Sequence, residues 1–126
     1  MARVLVVDGA NVVGSRPDGW WKDRAGAARR LHAQLVVADL SYDSVVLVLE
    51  GAAKGGVPAG RDGDVVTVHA PRDGDTTITA QARTAAAAGD QVTVITADRL
   101  LQSAVQAAGA TTMRPSWLLD QVEDWR

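Results

Sequence analysis

Apolar residues in this chain come in short unbroken runs, separated by polar and glycine-rich stretches. Val4-Leu5-Val6-Val7 and Val45-Val46-Leu47-Val48-Leu49 are continuous rather than alternating, which is the pattern of strands covered on both faces. With the other β-branched runs they predict strands at 3–7, 44–49, 65–69, 91–96 and, more weakly, 111–113. Between them the period changes to that of a helix. Ala25, Ala28, Leu31, Leu35 and Val36 form one stripe, while Arg24, Arg29 and Arg30 fall mostly off it. Two further helices are expected, at 76–88 and 99–108, stopped by Gly89 and Gly109. A last helix should start near Pro115-Ser116 and run toward Trp125. Strands alternating with helices predict an α/β domain of three layers, α/β/α, with a mainly parallel central sheet. The stretch 51–63 carries five glycines and reads as a mobile surface loop that could close over a polyanion.

Composition narrows the picture. A chain of 126 residues, 47% apolar, fills one core, so residues 1–126 are expected to form a single domain. There are no cysteines and only two histidines, so any metal must be held mainly by oxygen. No apolar run reaches the length of a spanning helix or resembles a signal peptide, which predicts a soluble cytoplasmic protein without a membrane partner. The net charge of −2 neither supports nor opposes binding to nucleic acid.

In an open parallel sheet, ligands bind beyond the carboxyl ends of the strands. The expected strands end in Asp8-Gly9-Ala10-Asn11, in Glu50-Gly51 and in Thr96-Ala97-Asp98, and the third is followed by Asp73-Gly74-Asp75. Four strand ends thus bring carboxylates to one rim. Such a group must be solvated, protonated or neutralised by cations, and hard divalent ions such as Mg²⁺ or Mn²⁺ suit oxygen ligands. That chemistry serves phosphodiester hydrolysis, in which a metal lowers the pKa of the attacking water and offsets charge on the leaving oxygen.

The segments Val6 to Gly14, Val48 to Gly51, Gly74 to Ile78 and Val94 to Leu100 are similar, in order, to the motifs of PIN-like ribonucleases. The likeness is strongest to the YacP-type branch of the NYN group and extends to Pro115-Ser116-Trp117-Leu118-Leu119. The resemblance implies a PIN-like fold and a Mg²⁺- or Mn²⁺-dependent endoribonuclease cutting single-stranded RNA. It makes Asp8, Asp75 and Asp98 the principal catalytic acids and metal ligands, with Glu50 completing the shell. This chain departs from the family pattern at three positions: Glu50 stands where many relatives have Asp, Thr76 where the residue after the third acid is often acidic, and Ala97 where a hydroxyl residue is common beside the last acid.

Each of these residues also has a plainer reading. Asp8 could begin a turn, Asp75 and Asp98 could cap helices, Glu50 could be a solvated strand end, and Asp73 reads as a loop charge. Asn11 and Thr96 are candidates to touch substrate or orient the acids. Lys22, Arg29, Lys54 and Arg61, with Arg16, are candidate phosphate contacts or a solvated face. Trp20 and Trp21 could stack bases but read better as a staple of a helix start to the core; His32 and His69 have no evident partner. The rivals are a catalytically inactive RNA- or nucleotide-binding module, a nucleotide phosphohydrolase, and a small-ligand binder. The oligomeric state is open, a homodimer included.

Overall fold

The rows of apolar residues become the strands of one six-stranded sheet in a computed structural model that describes residues 1–123. The strands are β1 (Arg3–Asp8), β2 (Ser44–Leu49), β3 (Gly60–Asp62), β4 (Val65–His69), β5 (Gln91–Ile95) and β6 (Thr111–Met113). Their order is β3-β4-β2-β1-β5-β6, and every pair is parallel except β3 with β4. The helices are α1 (Gly9–Gly14), α2 (Arg24–Val37), α3 (Gly74–Ala87), α4 (Arg99–Ala107) and α5 (Pro115–Glu123). Two 3-10 turns, Trp20–Lys22 and Gly51–Gly56, complete the elements.

Both faces of the sheet are covered, as the unbroken apolar runs require. Successive side chains in a strand point to opposite faces. Leu5, Val7, Leu47 and Leu49 therefore pack on one side with Val12 of α1, Leu31 and Leu35 of α2 and Leu118 of α5. Val4, Val6, Val46, Val48, Val92 and Val94 pack on the other with Ile78 and Ala82 of α3 and Leu101 and Val105 of α4. This is the expected three-layer α/β/α arrangement. Each fully buried branched side chain of this kind contributes about 1.5–3 kcal/mol relative to exposure.

The parity of the strands also aims the site. Asp8 continues the Val4, Val6 row, Glu50 continues the Val46, Val48 row, and Thr96 continues the Val92, Val94 row. All three extend the face covered by α3 and α4, at the carboxyl ends of three adjacent strands. The register agrees, with Val7 opposite Ile95 and Asp8 opposite Val48.

Several boundaries differ from expectation. β1 runs one residue longer and β5 one shorter, and α1 forms where no helix is expected, since Gly9 and Asn11 are turn residues by type. α3 begins at Gly74 rather than Thr76, since Asp73 and not Asp75 is its cap. Segment 51–63 is not a loose loop. Its first half is the Gly51–Gly56 turn packed on α2, so closely that a Cβ on Gly56 would collide with the backbone carbonyl of Ala25. Its second half is β3, joined to β4 through Gly63 at φ 60°. β3 is wholly exposed and polar, so no hydrophobic pattern marks it. α5 ends at Glu123, and the expected extension to Trp125 lies outside the described residues. Among the described residues no helix is long and apolar enough to cross a membrane.

Candidate functional site

Asp8 is the centre of the rim. It closes a buried strand and is only 5% exposed. Its carboxylate is fixed at both oxygens: Oδ1 accepts the Asn11 backbone N–H at 3.2 Å, capping α1, and Oδ2 accepts the Thr96 hydroxyl at 2.9 Å. The Thr96 oxygen in turn accepts the Asp98 N–H at 3.1 Å, and the Asn11 side-chain oxygen accepts the Ala97 N–H at 2.9 Å. The loops after β1 and β5 are thereby stitched together around Asp8. Turn and metal-site readings of Asp8 are compatible, because each carboxylate oxygen keeps a free lone pair.

The other acids arrive from helix starts and from β2. Asp98 caps α4, with Oδ1 accepting the N–H groups of Leu100 at 2.9 Å and Leu101 at 3.1 Å. Asp73 caps α3 through Thr76, which leaves Asp75 in the first turn with no capping duty. Glu50 Oε1 accepts the Gly74 N–H at 3.2 Å, and a Cβ on residue 74 would stand 2.6 Å from that oxygen. Glycine at 74 is what lets the end of β2 and the start of α3 meet.

Electrostatics show that these acids sense one another. Burial pushes the Asp8 carboxyl above its ordinary value; the Thr96 and Asn11 hydrogen bonds oppose that rise, and the Asp75 and Glu50 charges add to it. Asp75 is raised by partial burial first, then by Asp98, Asp73 and Glu50. Asp73 moves the other way, held low by its bonds to Thr76. Among the described residues no ion pair involves Asp8, Glu50, Asp75 or Asp98.

They do not, however, form a ready-made cage. Among the described residues no three His, Cys, Asp or Glu side chains stand close enough to hold one ion together. The expected convergence of Asp8, Asp75 and Asp98 on a shared ion is corrected to that extent: Asp8 is held in the buried floor of the rim by Thr96 and Asn11, whereas Asp75 is exposed in the first turn of α3 and Asp98 is turned toward the α4 N–H groups that it caps. The donor set still fits an ion such as Mg²⁺, which is usually bound through one or two carboxylates plus waters.

The candidate phosphate contacts scatter. Lys22 and Arg29 are exposed, on the 20–22 turn and on α2. Lys54 is tied down, its Nζ donating to the Ala70 carbonyl at 3.0 Å just beyond β4. Arg61 lies beside Val66 on the edge strand, away from the carboxyl rim, and donates to the Gly63 carbonyl. Arg16 is drawn into a structural pair with Glu123 and Gln34. His69 does have a partner, the Val57 carbonyl at 2.7 Å, and His32 Nε2 stands 3.1 Å from an Asp62 oxygen without hydrogen-bonding geometry.

One feature of the rim escaped the sequence reading. A cleft of about 170 Å³ opens beside Glu50, bounded by Gly9, Ala10, Trp20, Arg24 and Ala53. Trp20 does brace the core as expected, but its ring also carries the Arg24 guanidinium at 4.9 Å, whereas Trp21 is 57% exposed. No periodicity marks the pair, because Trp20 lies in a 3-10 turn and Arg24 opens α2 beyond the non-helical Asp23.

A doubly covered, mainly parallel sheet with acids along its carboxyl edge is the three-layer architecture of a PIN-like fold. The chain belongs to the YacP-like NYN domain family, whose model matches residues 5–126. Its fold is similar to Rae1 (YacP) from Bacillus subtilis, at 23% identity and a TM-score of 0.73 over 96% of this chain and 74% of that one. A single-site variant of the same protein matches at 22% identity and a TM-score of 0.73, covering 97% and 76%. No curated protein sequence matches the chain.

Proposed function

We propose that the chain is a divalent-metal-dependent endoribonuclease acting on single-stranded RNA. The observation that carries this reading is Asp8, a buried carboxylate without a cationic partner, locked by Thr96 and Asn11 at the meeting point of three strand ends. A buried charge without a partner is costly, and proteins keep one where function requires it. Family membership supports the same class of activity.

Asp8 would be the principal ligand of Mg²⁺ or Mn²⁺, with Asp98, Asp75 and Glu50 engaged directly or through water. A bound ion of this kind supplies Lewis acidity, activating water and offsetting charge on the phosphodiester. The chain's own residues do the positioning. Thr96 and Asn11 hold Asp8 in one rotamer, and Gly74 holds Glu50 against the α3 start. The open rim admits a strand passing along the carboxyl edge.

The test is cleavage of single-stranded RNA, duplex RNA and nucleoside triphosphates in Mn²⁺ and in Mg²⁺, with Asp8→Asn and Asp98→Asn alongside. Cutting of the single strand alone, lost in both variants, is the expected result. Hydrolysis of triphosphates instead would establish a phosphohydrolase. The lack of a three-acid cage favours a second reading, a module that binds RNA without cutting it; RNA binding with no cleavage under either metal would establish that one.

A further inference from the structure

We infer that the cleft walled by Trp20 and Arg24 is a subsite for one unpaired nucleobase, adjoining the carboxylate rim. This deepens the nuclease reading and rests on it for the identity of the polymer, though not for the subsite's existence.

The cleft has three properties that together select a base. Its walls are apolar and aromatic, from Ala10, Val13, Ala53 and the Trp20 ring. Its volume of about 170 Å³ is below the roughly 300–1,000 Å³ of sites enclosing drug-sized ligands, which suits one planar heterocycle. Its cation is uncommitted: Arg24 is exposed, stacks on Trp20, and takes part in none of the ion pairs among the described residues. A base can stack on the guanidinium plane or replace it over the indole, and the released guanidinium is then free to meet a phosphate.

Position ties the cleft to the chemistry. Gly9 and Ala10 follow Asp8 directly, and Glu50 belongs to both the cleft and the acidic rim. A nucleotide whose base sits against Trp20 is therefore bordered by Glu50 and by the chain that leads out of Asp8. A base can enter only if it is free of a helical stack, so the same cleft gives a structural cause for acting on single strands.

The experiment uses the whole chain in chelator, so it needs neither metal nor cleavage. Each of AMP, GMP, CMP and UMP is titrated while the Trp20 indole N–H is followed by NMR, with ribose 5-phosphate as the control lacking a base. At least one nucleotide should bind and ribose 5-phosphate should not. Ala52 is exposed at the mouth of the cleft, so Ala52→Leu should fill it without disturbing the core. That variant, and Trp20→Ala if it folds, should weaken nucleotide binding by roughly tenfold or more. Failure of every nucleotide to bind, equal binding of ribose 5-phosphate, or an Ala52→Leu chain that binds as the parent does would each overturn the subsite. A chain that binds nucleotides in the cleft but never cuts RNA would lose the nuclease reading and keep this one.

Discussion

At the scale of single residues, the site is a contest between burial and hydrogen bonding at Asp8. Burial raises its carboxyl, and Thr96 and Asn11 pull it down again. Because Asp8 and Asp75 both titrate above their ordinary values, the stability they confer is fully present below the unfolded value and is lost as pH rises through the folded one. In metal-free buffer, Asp8→Asn should therefore leave stability at neutral pH unchanged or higher and flatten its decline with rising pH, as thermal melts across the acid range will show. The same substitution should abolish cleavage and remove the rise in melting temperature that Mn²⁺ gives the parent, expected to be worth about 2.7 kcal/mol at a hundredfold excess over Kd. A large loss of stability in chelator would mark Asp8 as structural. Thr96→Val tests the opposing force. It deprives the buried carboxylate of its hydroxyl donor at nearly constant shape, so it should cost about 1–3 kcal/mol in urea melts at neutral pH. It should also raise the Asp8 carboxyl further and move the acid limb of the cleavage profile to higher pH.

At the scale of elements, the Gly51–Gly56 turn forms one wall of the cleft beside Glu50. The turn follows β2 directly, and the contact between Gly56 and Ala25 seats it on α2 next to the Trp20–Arg24 cleft. Gly56→Ala puts a methyl group into backbone, which α2 cannot accommodate by moving a side chain. We expect a loss of about 1–3 kcal/mol, with new protease cleavage within 51–63 as the diagnostic. A stable, resistant variant would mean that the turn is free to move after all. Helix caps matter at this scale too, because Asp73 relieves Asp75 of capping while Asp98 must serve α4 and the rim at once.

At the scale of the molecule, a net charge of −2 includes acids gathered on one rim, so any attraction for RNA must come from local cations. Each phosphate contact with a single strand contributes about 0.7 to the slope of log affinity against log salt. Lys22→Ala and Arg29→Ala should each flatten that slope by about this amount in filter-binding titrations in chelator, whereas Arg61→Ala, away from the carboxyl rim, should leave it unchanged. Asp98→Asn should bind RNA as tightly or more so while losing turnover by orders of magnitude. An unchanged slope for both Lys22→Ala and Arg29→Ala would move the strand's path to another face.

The five parallel strands and the helices α2 to α5 were legible in the sequence, because buried parallel strands need unbroken apolar runs and those runs are local; α1 was not, since Gly9 and Asn11 read as turn residues. The sequence also marked Asp8, Glu50, Asp75 and Asp98 as acids at or just past strand ends or at helix starts, because those boundaries are local. It could not show β3, whose residues are exposed and polar, nor that 51–63 is ordered, which depends on Gly56 meeting α2 from far along the chain. Nor could it separate Asp73 from Asp75 as the cap of α3, find the Trp20–Arg24 cleft, or reveal that the acids stop short of a preformed cage. These follow from side-chain directions and from contacts between distant segments, and only the packed tertiary structure sets them.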